Sequence, residues 1–471
     1  MFSRFLTQSA IISVLMLYFT HYGGGLIRST YLSNIQDALS SLLAIVMAHL
    51  ADSFVGRFRT VLFSTTAYIG GLMLLWMFNP YDVTWLVVVA LVLLAIGTSG
   101  EFLLQYMLFD LLDKNDKSSS RNETRSIARV GVWWKITKIS AAITSNIWVA
   151  PFAFLDENSS WPKSFLICII TMTSSLIVFC MGHNLYHQRA LTKRPVESFF
   201  RVLYARIQPN SNTQYPSNTS RQERSQPQHV GTNLQEDTVV VQSLLRIFPM
   251  WATFFVVALL SATGSTFFLE QYSNLNTDKF PANSYSLIQA LSGVGIVFLY
   301  HLTPIRNSEK VEIGFGMICS VLSCVCAWQL EFHRLKDIKK LDDEDGHTSI
   351  SFLWLVPQFC MLGFMEGLTT DGLVTFFTSR IDGPMKRYGE EYIEVLLGLG
   401  KIVNILLILI LKSKLGWFKD TINNSRLDKY YVLLACICSL NFLIYCCIAK
   451  CCYGDKKEEH ISDHHDSQQR A

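Results

Sequence analysis

Charge is what this chain has least of. Only 16% of its 471 residues are Asp, Glu, Lys or Arg, where a soluble domain usually carries about a quarter. The net charge is +3, too small to suggest a nucleic-acid partner. The sequence also lacks a nucleotide-binding loop, a metal-ligand spacing of Cys and His, and a catalytic-triad signature, so a soluble enzyme is set aside and no cofactor or metal is expected. No ring-forming filter segment is visible, which argues against a channel. The twelve Cys show no secreted-disulfide pattern and sit in apolar runs as small packing residues. Four of them, Cys446, Cys447, Cys451 and Cys452, flank a helix end, a position suited to reversible palmitoylation. No cleavable signal peptide is read at the start, where Arg4 is the only charge before the first apolar run.

Long apolar runs are what the chain has instead. Half of its residues are hydrophobic, and a hydrocarbon core about 30 Å thick needs roughly 20 helical residues to cross it. That window predicts spans at 5–22, 36–52, 61–79, 84–106, 129–150 and 163–182. Six more follow at 243–263, 284–302, 312–330, 351–373, 393–411 and 430–449. The first is the poorest, because Thr7, Gln8 and Ser9 open it and His21 and Tyr22 close it. The fold class is therefore an all-α membrane protein of two six-helix bundles, 1–182 and 243–450, with a short first span. Between them, 183–242 is a linker whose heart, 208–237, is mostly Asn, Ser, Gln, Thr and Pro. Such composition cannot bury enough apolar surface to order itself. The tail 451–471 is charged and His-rich.

Orientation follows from Lys and Arg near the span ends. Arg57, Arg59, Arg121, Arg125, Arg129, Arg189, Lys193, Arg194, Arg201 and Arg206 fall on one side, joined by Arg306, Lys310, Arg380, Lys386, Arg387, Lys456 and Lys457. The other side receives acidic or neutral loops, among them a glycosylation sequon at Asn158-Ser159-Ser160. Arg28, the stretch 334–340 read as a loop, and the basic stretch 412–419 are exceptions. Both termini and the linker thus read as cytoplasmic.

The sharpest local signal is Asp52-Ser53-Phe54-Val55-Gly56-Arg57-Phe58-Arg59-Thr60, directly after the second span. It resembles the loop motif D-x-x-x-G-R-x-x-T of the major facilitator superfamily. Gly56 supports a tight turn, and Asp52 pairs with Arg57 as a gate that latches the two bundles in one state. Trp133-Trp134, the run from Leu244 through Pro249 and Trp251 to Ala252, Ser265-Thr266-Phe267-Phe268, Pro357-Gln358-Phe359 through Gly363 and Glu366 to Phe376-Phe377, and Gly416-Trp417 with Leu427-Asp428-Lys429-Tyr430 narrow the resemblance. They are similar to the proton-dependent oligopeptide transporter family in its plant nitrate/peptide branch. The resemblance covers nearly the whole chain except linker and tail.

Departures accompany it. The family's first helix carries E-x-x-E-R; here Arg4 falls on the Arg, Ser3 on the second Glu, and the first Glu would precede Met1. The chain thus reads as N-terminally shortened and divergent, without either acid. On the fourth helix, Phe102 and Leu103 stand where the family has a base and Pro, and Ser261 stands at the His used for nitrate by some members.

Charges inside spans cost roughly 2.5–3.5 kcal/mol near the bilayer centre and so mark function. Glu366 matches, by resemblance, the acid that meets a substrate's cationic end. Asp371, five residues on and about 140° around the helix, points elsewhere. Lys135 and Lys138 share a face of the fifth helix. Either supplies the charge missing at Phe102 or, for Lys135 above all, snorkels to the interface. Glu101 is the natural carboxylate for either Lys, and Lys401 has no obvious partner. The resemblance implies a proton-coupled secondary transporter of nitrate, short peptides or plant metabolites, in plasma or vacuolar membrane, with lipid and a small solute as its partners. The missing acids leave open an uncoupled facilitator, sensor or inactive paralogue.

Overall fold

A computed structural model describes residues 1–78, 84–113, 120–154, 161–186, 247–275, 281–304, 308–341, 348, 350–380 and 389–451, without the side chains of 112–113, 120–129, 153–154, 185 and 341. Most of the linker, its heart 208–237, the tail beyond Cys451 and the sequon at Asn158 lie outside them. The described chain forms α1 (Phe2–His21), α2 (Leu26–Val55), α3 (Arg57–Met77) and α4 (Thr84–Leu111). These are followed by α5 (Ser120–Trp148) and α6 (Trp161–Met181). After the linker come α7 (Ile247–Tyr272), α8 (Asn283–Leu302) and α9 (Glu309–Leu341). The last three are α10 (Phe352–Thr378), α11 (Gly389–Leu415) and α12 (Leu427–Cys451).

Eleven of these are long and apolar enough to cross a membrane. The exception is α5, whose 29 residues include Arg121, Arg125, Arg129, Lys135 and Lys138. The outward faces explain where the apolar residues go. Met181 is 81% exposed, and Trp148, Val178, Leu302 and Phe298 are exposed as well. In water such a surface aggregates; against lipid it is satisfied.

Three spans run differently from expectation. The second helix begins at Leu26, ten residues earlier than the apolar window, because Ser29, Thr30, Ser33, Asn34 and Gln36 turn inward and are buried. The first, expected to be poor, is the most buried of the eleven, at 78% of its apolar window. Its Thr7 hydroxyl donates to the Ser3 carbonyl at 3.0 Å, so the polar opening costs little inside the bundle. The stretch 334–340, read as a loop, continues α9. Arg334 is fully buried there, with Nη2 2.7 Å from Glu331 and further donation to Asn423, so its charge is met within the bundle.

Packing repeats between the halves. In the first, α3 packs on α4, α2 on α4, α1 on α5 and α3 on α6. In the second, α9 packs on α10, α8 on α10, α7 on α11 and α9 on α12, each six helices further on. The two main contacts between halves, α2 on α11 and α5 on α8, exchange under the same rule. This is a pseudo-two-fold plan of two like bundles. Small residues permit the closest approaches: a Cβ on Gly367 would sit 2.5 Å from the Gly293 carbonyl oxygen, and one on Gly316 2.5 Å from Thr369.

Candidate functional site

The loop joining α2 to α3 is the first charged feature to be positioned. A π-turn at Ala51–Val55 ends α2, and Gly56 follows at φ +87°, ψ 145°, a backbone conformation nearly restricted to glycine. That reversal brings Arg57 Nε 2.7 Å from Asp52 Oδ1, with Nη2 3.3 Å from Oδ2. Arg57 also donates to Asp110 on α4 and lies 5.3 Å from the Tyr106 ring centre. All four residues belong to the first bundle. These contacts of Arg57 fasten α2, α3 and α4 to one another. Across the interface, Glu391 of α11 is within electrostatic reach of Asp52 and of the Tyr106 hydroxyl.

A line of charges runs through the middle of the interface. On α10, Glu366 accepts from Ser261 Oγ of α7 and from Gln289 Nε2 of α8, both at 2.6 Å. On α11, Lys401 Nζ is 3.3 Å from Asp37 Oδ2 of α2, and Glu394 and Glu366 act on the same ammonium. Lys401, read as partnerless, is thus the centre of an acidic ring. Asp37 lies at the start of the predicted span 36–52, with nothing local to mark it as the partner of Lys401. Ser41, one turn beyond Asp37, donates to Glu394 at 3.2 Å.

The first bundle adds cations. Arg4 is 4% exposed; Nη1 donates to the Gly97 carbonyl at 2.8 Å, and Nη2 to Ser64 at 2.8 Å and Thr65 at 2.5 Å. Its neighbour Glu101 feels Lys138, Arg4 and Glu394. The approach is close because α4 breaks at Gly100, where a Cβ would lie 2.2 Å from Ser64 Oγ. Ser3 donates to Ser175 at 2.9 Å, a neutral contact where the family pattern has an acid. Trp134 packs edge-on against Phe5, with ring centres 4.9 Å apart.

Lys135 does not join this group. Its Nζ, on a half-exposed side chain, reaches 3.6 Å to Asp371 Oδ1 across to the second bundle. Asp371 also meets His301 at 3.0 Å, and Glu366 and Asp371 hold separate partners, as their helical phase requires. The structure therefore brings together Glu366, Lys401, Glu101 and Lys138, adds Asp37, Glu394 and Arg4, and separates Lys135 with Asp371. The bundles are tied at both ends of the line. At the Gly25 end, Leu26 N donates to the Asp420 carbonyl at 2.8 Å, and Ser284 to Asn146 at 2.9 Å. At the Arg57 end, Gln105 donates to Glu390 at 3.3 Å beside the Lys135–Asp371 pair.

The model of the family described as "PTR2: POT family" matches residues 58–412. Among curated relatives, Protein NRT1/PTR FAMILY 5.14 of Arabidopsis thaliana is 26% identical over 480 residues, spanning 88% of this chain and 85% of the relative. Protein NRT1/PTR FAMILY 5.13 of the same plant is 27% identical over 483 residues, spanning 88% and 85%. An auto-inhibited POT family peptide transporter superposes with a TM-score of 0.70 at 14% identity, over 96% of this chain and 95% of that one. A POT family transporter solved with a thioalcohol-conjugated peptide gives 0.68 at 13%, over 96% and 95%. These likenesses show the fold, two six-helix bundles of the major facilitator class.

Proposed function

The chain belongs to the POT family, and from that membership we propose that it is a secondary transporter moving a small solute by alternating access, coupled to protons. The observation that carries this reading is the Lys401–Asp37 pair, 3.3 Å long, at 15% and 27% exposure, and the one ion pair described between the bundles at mid-line. Residues 1–182 and 243–450 rock about it, 183–242 connects them, and the termini lie on the cytoplasmic side of a plasma or vacuolar membrane.

The chemistry is that of competing charges. Glu366, fixed by two hydrogen bonds, presents an anion to the cationic end of a solute. Lys401, with Arg4 and Lys138 opposite, presents cations to a carboxylate or nitrate-like end. A solute anion at Lys401 takes its charge from Asp37, and a proton bound within the acidic ring does the same from the other side. Either event loosens α2 from α11 while the ties at the two ends decide which side opens. A zwitterion spanning Glu366 and Lys401, such as a short peptide or an amino-acid-derived metabolite, suits this arrangement better than bare nitrate, because Ser261 is already spent on Glu366.

A second reading, an uncoupled facilitator, rests on Ser3. Its 2.9 Å bond to Ser175 puts a neutral contact where the family pattern has an acid. Proton-driven currents in a heterologous membrane separate the two: solute-dependent inward current that rises with the gradient supports coupling, and solute flux without current supports the facilitator.

A further inference from the structure

A second polar cluster stands apart from the central line, where α8, α9 and α10 converge near the Arg57 end. One donor atom each from His301, Glu312 and Asp371 lie within 4.8 Å of one another, and His301 Nε2 is 3.0 Å from Asp371 Oδ2. Glu312 is 2% exposed, and its Oε1 has no hydrogen-bond partner among the described residues. A buried carboxylate left unpaired is strongly destabilising, so this oxygen calls for a positive partner. The surrounding charges narrow the choice. Lys135 of α5 lies 3.6 Å from Asp371 and also acts on Glu312. Glu309, the next acid on α9, is held by Arg380 at 3.0 Å. Lys135 is thus one ammonium shared between two carboxylates.

We propose that His301, Glu312 and Asp371 form a binding site for a divalent transition-metal cation of the zinc class, for which Lys135 is the competitor. An imidazole with two carboxylates is a donor set suited to zinc, whereas magnesium and calcium favour all-oxygen sites. Two positive charges neutralise the pair of carboxylates. Three protein ligands leave a fourth position for water, and His301, 49% exposed near the end of α8, gives the ion a way in. Binding also has a mechanical consequence. The three ligands belong to the second bundle and Lys135 to the first, so a cation that takes over Asp371 repels the ammonium and removes one tie between the bundles. The ligands are far apart in the sequence, which is why no ligand spacing revealed them.

The test is calorimetric titration of Zn²⁺ into the full-length protein in detergent, with His460→Ala, His464→Ala and His465→Ala to silence the His-rich tail. One saturable zinc site is expected, with no equivalent Mg²⁺ binding. His301→Ala and Glu312→Gln each weaken it at least about tenfold, while Lys135→Met tightens it by removing the competing charge. Because the last variant acts in the opposite direction, general damage to the fold cannot imitate the pattern. X-ray absorption at the zinc edge should show nitrogen and oxygen ligands only. Unchanged affinity in His301→Ala, weaker binding in Lys135→Met, or sulfur in the zinc shell would overturn the proposal.

Discussion

Separating Lys401 from Asp37 should move the two bundles. Unit charges 3.3 Å apart attract by about 5 kcal/mol at an effective dielectric near 20. The exposures of 15% and 27% leave part of that screened by solvent. Removing one partner of a buried pair costs about 3–5 kcal/mol, chiefly because the other charge is stranded. If about 3 kcal/mol of this favours the arrangement in which α2 touches α11, its loss shifts the population on the order of 100-fold, each 1.4 kcal/mol being tenfold. Nitroxide labels at Val46 of α2 and Leu406 of α11, both on exposed faces, report that contact by pulsed electron resonance. Lys401→Met and Asp37→Asn should each replace the parent distance with a longer one. The double variant should return towards the parent, because no charge is left stranded. Single variants with the parent distance, or a double variant displaced by the sum of the two, would refute the reasoning.

Three further outcomes follow from other contacts. Gly56→Ala puts a side chain at φ +87° and should cost about 1–3 kcal/mol, read as lower yield of folded protein in detergent with the Arg57 contacts unaltered in sequence. Gly367→Ala drives a methyl to 2.5 Å from the Gly293 carbonyl and should cost about 1–3 kcal/mol, seen as a lower midpoint of thermal aggregation; a midpoint equal to the parent would show that α8 and α10 part easily. Glu366→Gln keeps the shape of the side chain but loses its charge. It should raise KM for an amine-bearing solute about tenfold or more while leaving folded yield unchanged, and an unaltered KM would remove Glu366 from the solute contact.

The architecture was largely legible because lipid imposes a length on every apolar run. What the apolar window misjudged were the helices that carry polar residues inward. Ser29 to Gln36 masked the start of α2; Asp37 fell inside the predicted span 36–52, but its pairing with Lys401 has no local signature. Arg334 ended a predicted span too early: Glu331, one turn back on the same helix, meets its charge, and only folding adds Asn423. Helical phase, by contrast, sufficed to separate Glu366 from Asp371. Pairings between helices distant in the chain, such as Lys135 with Asp371 or Arg57 with Asp110, have no local signature at all. They arise only when the bundles are assembled, and for that reason the motif at Asp52 to Arg57 pointed to an ion pair but not to the helices it fastens.

The most direct test is solute uptake by the purified chain in sealed liposomes, with and without an inward proton gradient, across short peptides, nitrate and amino-acid-derived metabolites. The account predicts that at least one zwitterionic solute accumulates above its external concentration only while the gradient lasts. That accumulation should disappear in Lys401→Met. No solute movement beyond that of protein-free vesicles, or accumulation that Lys401→Met leaves intact, would contradict it.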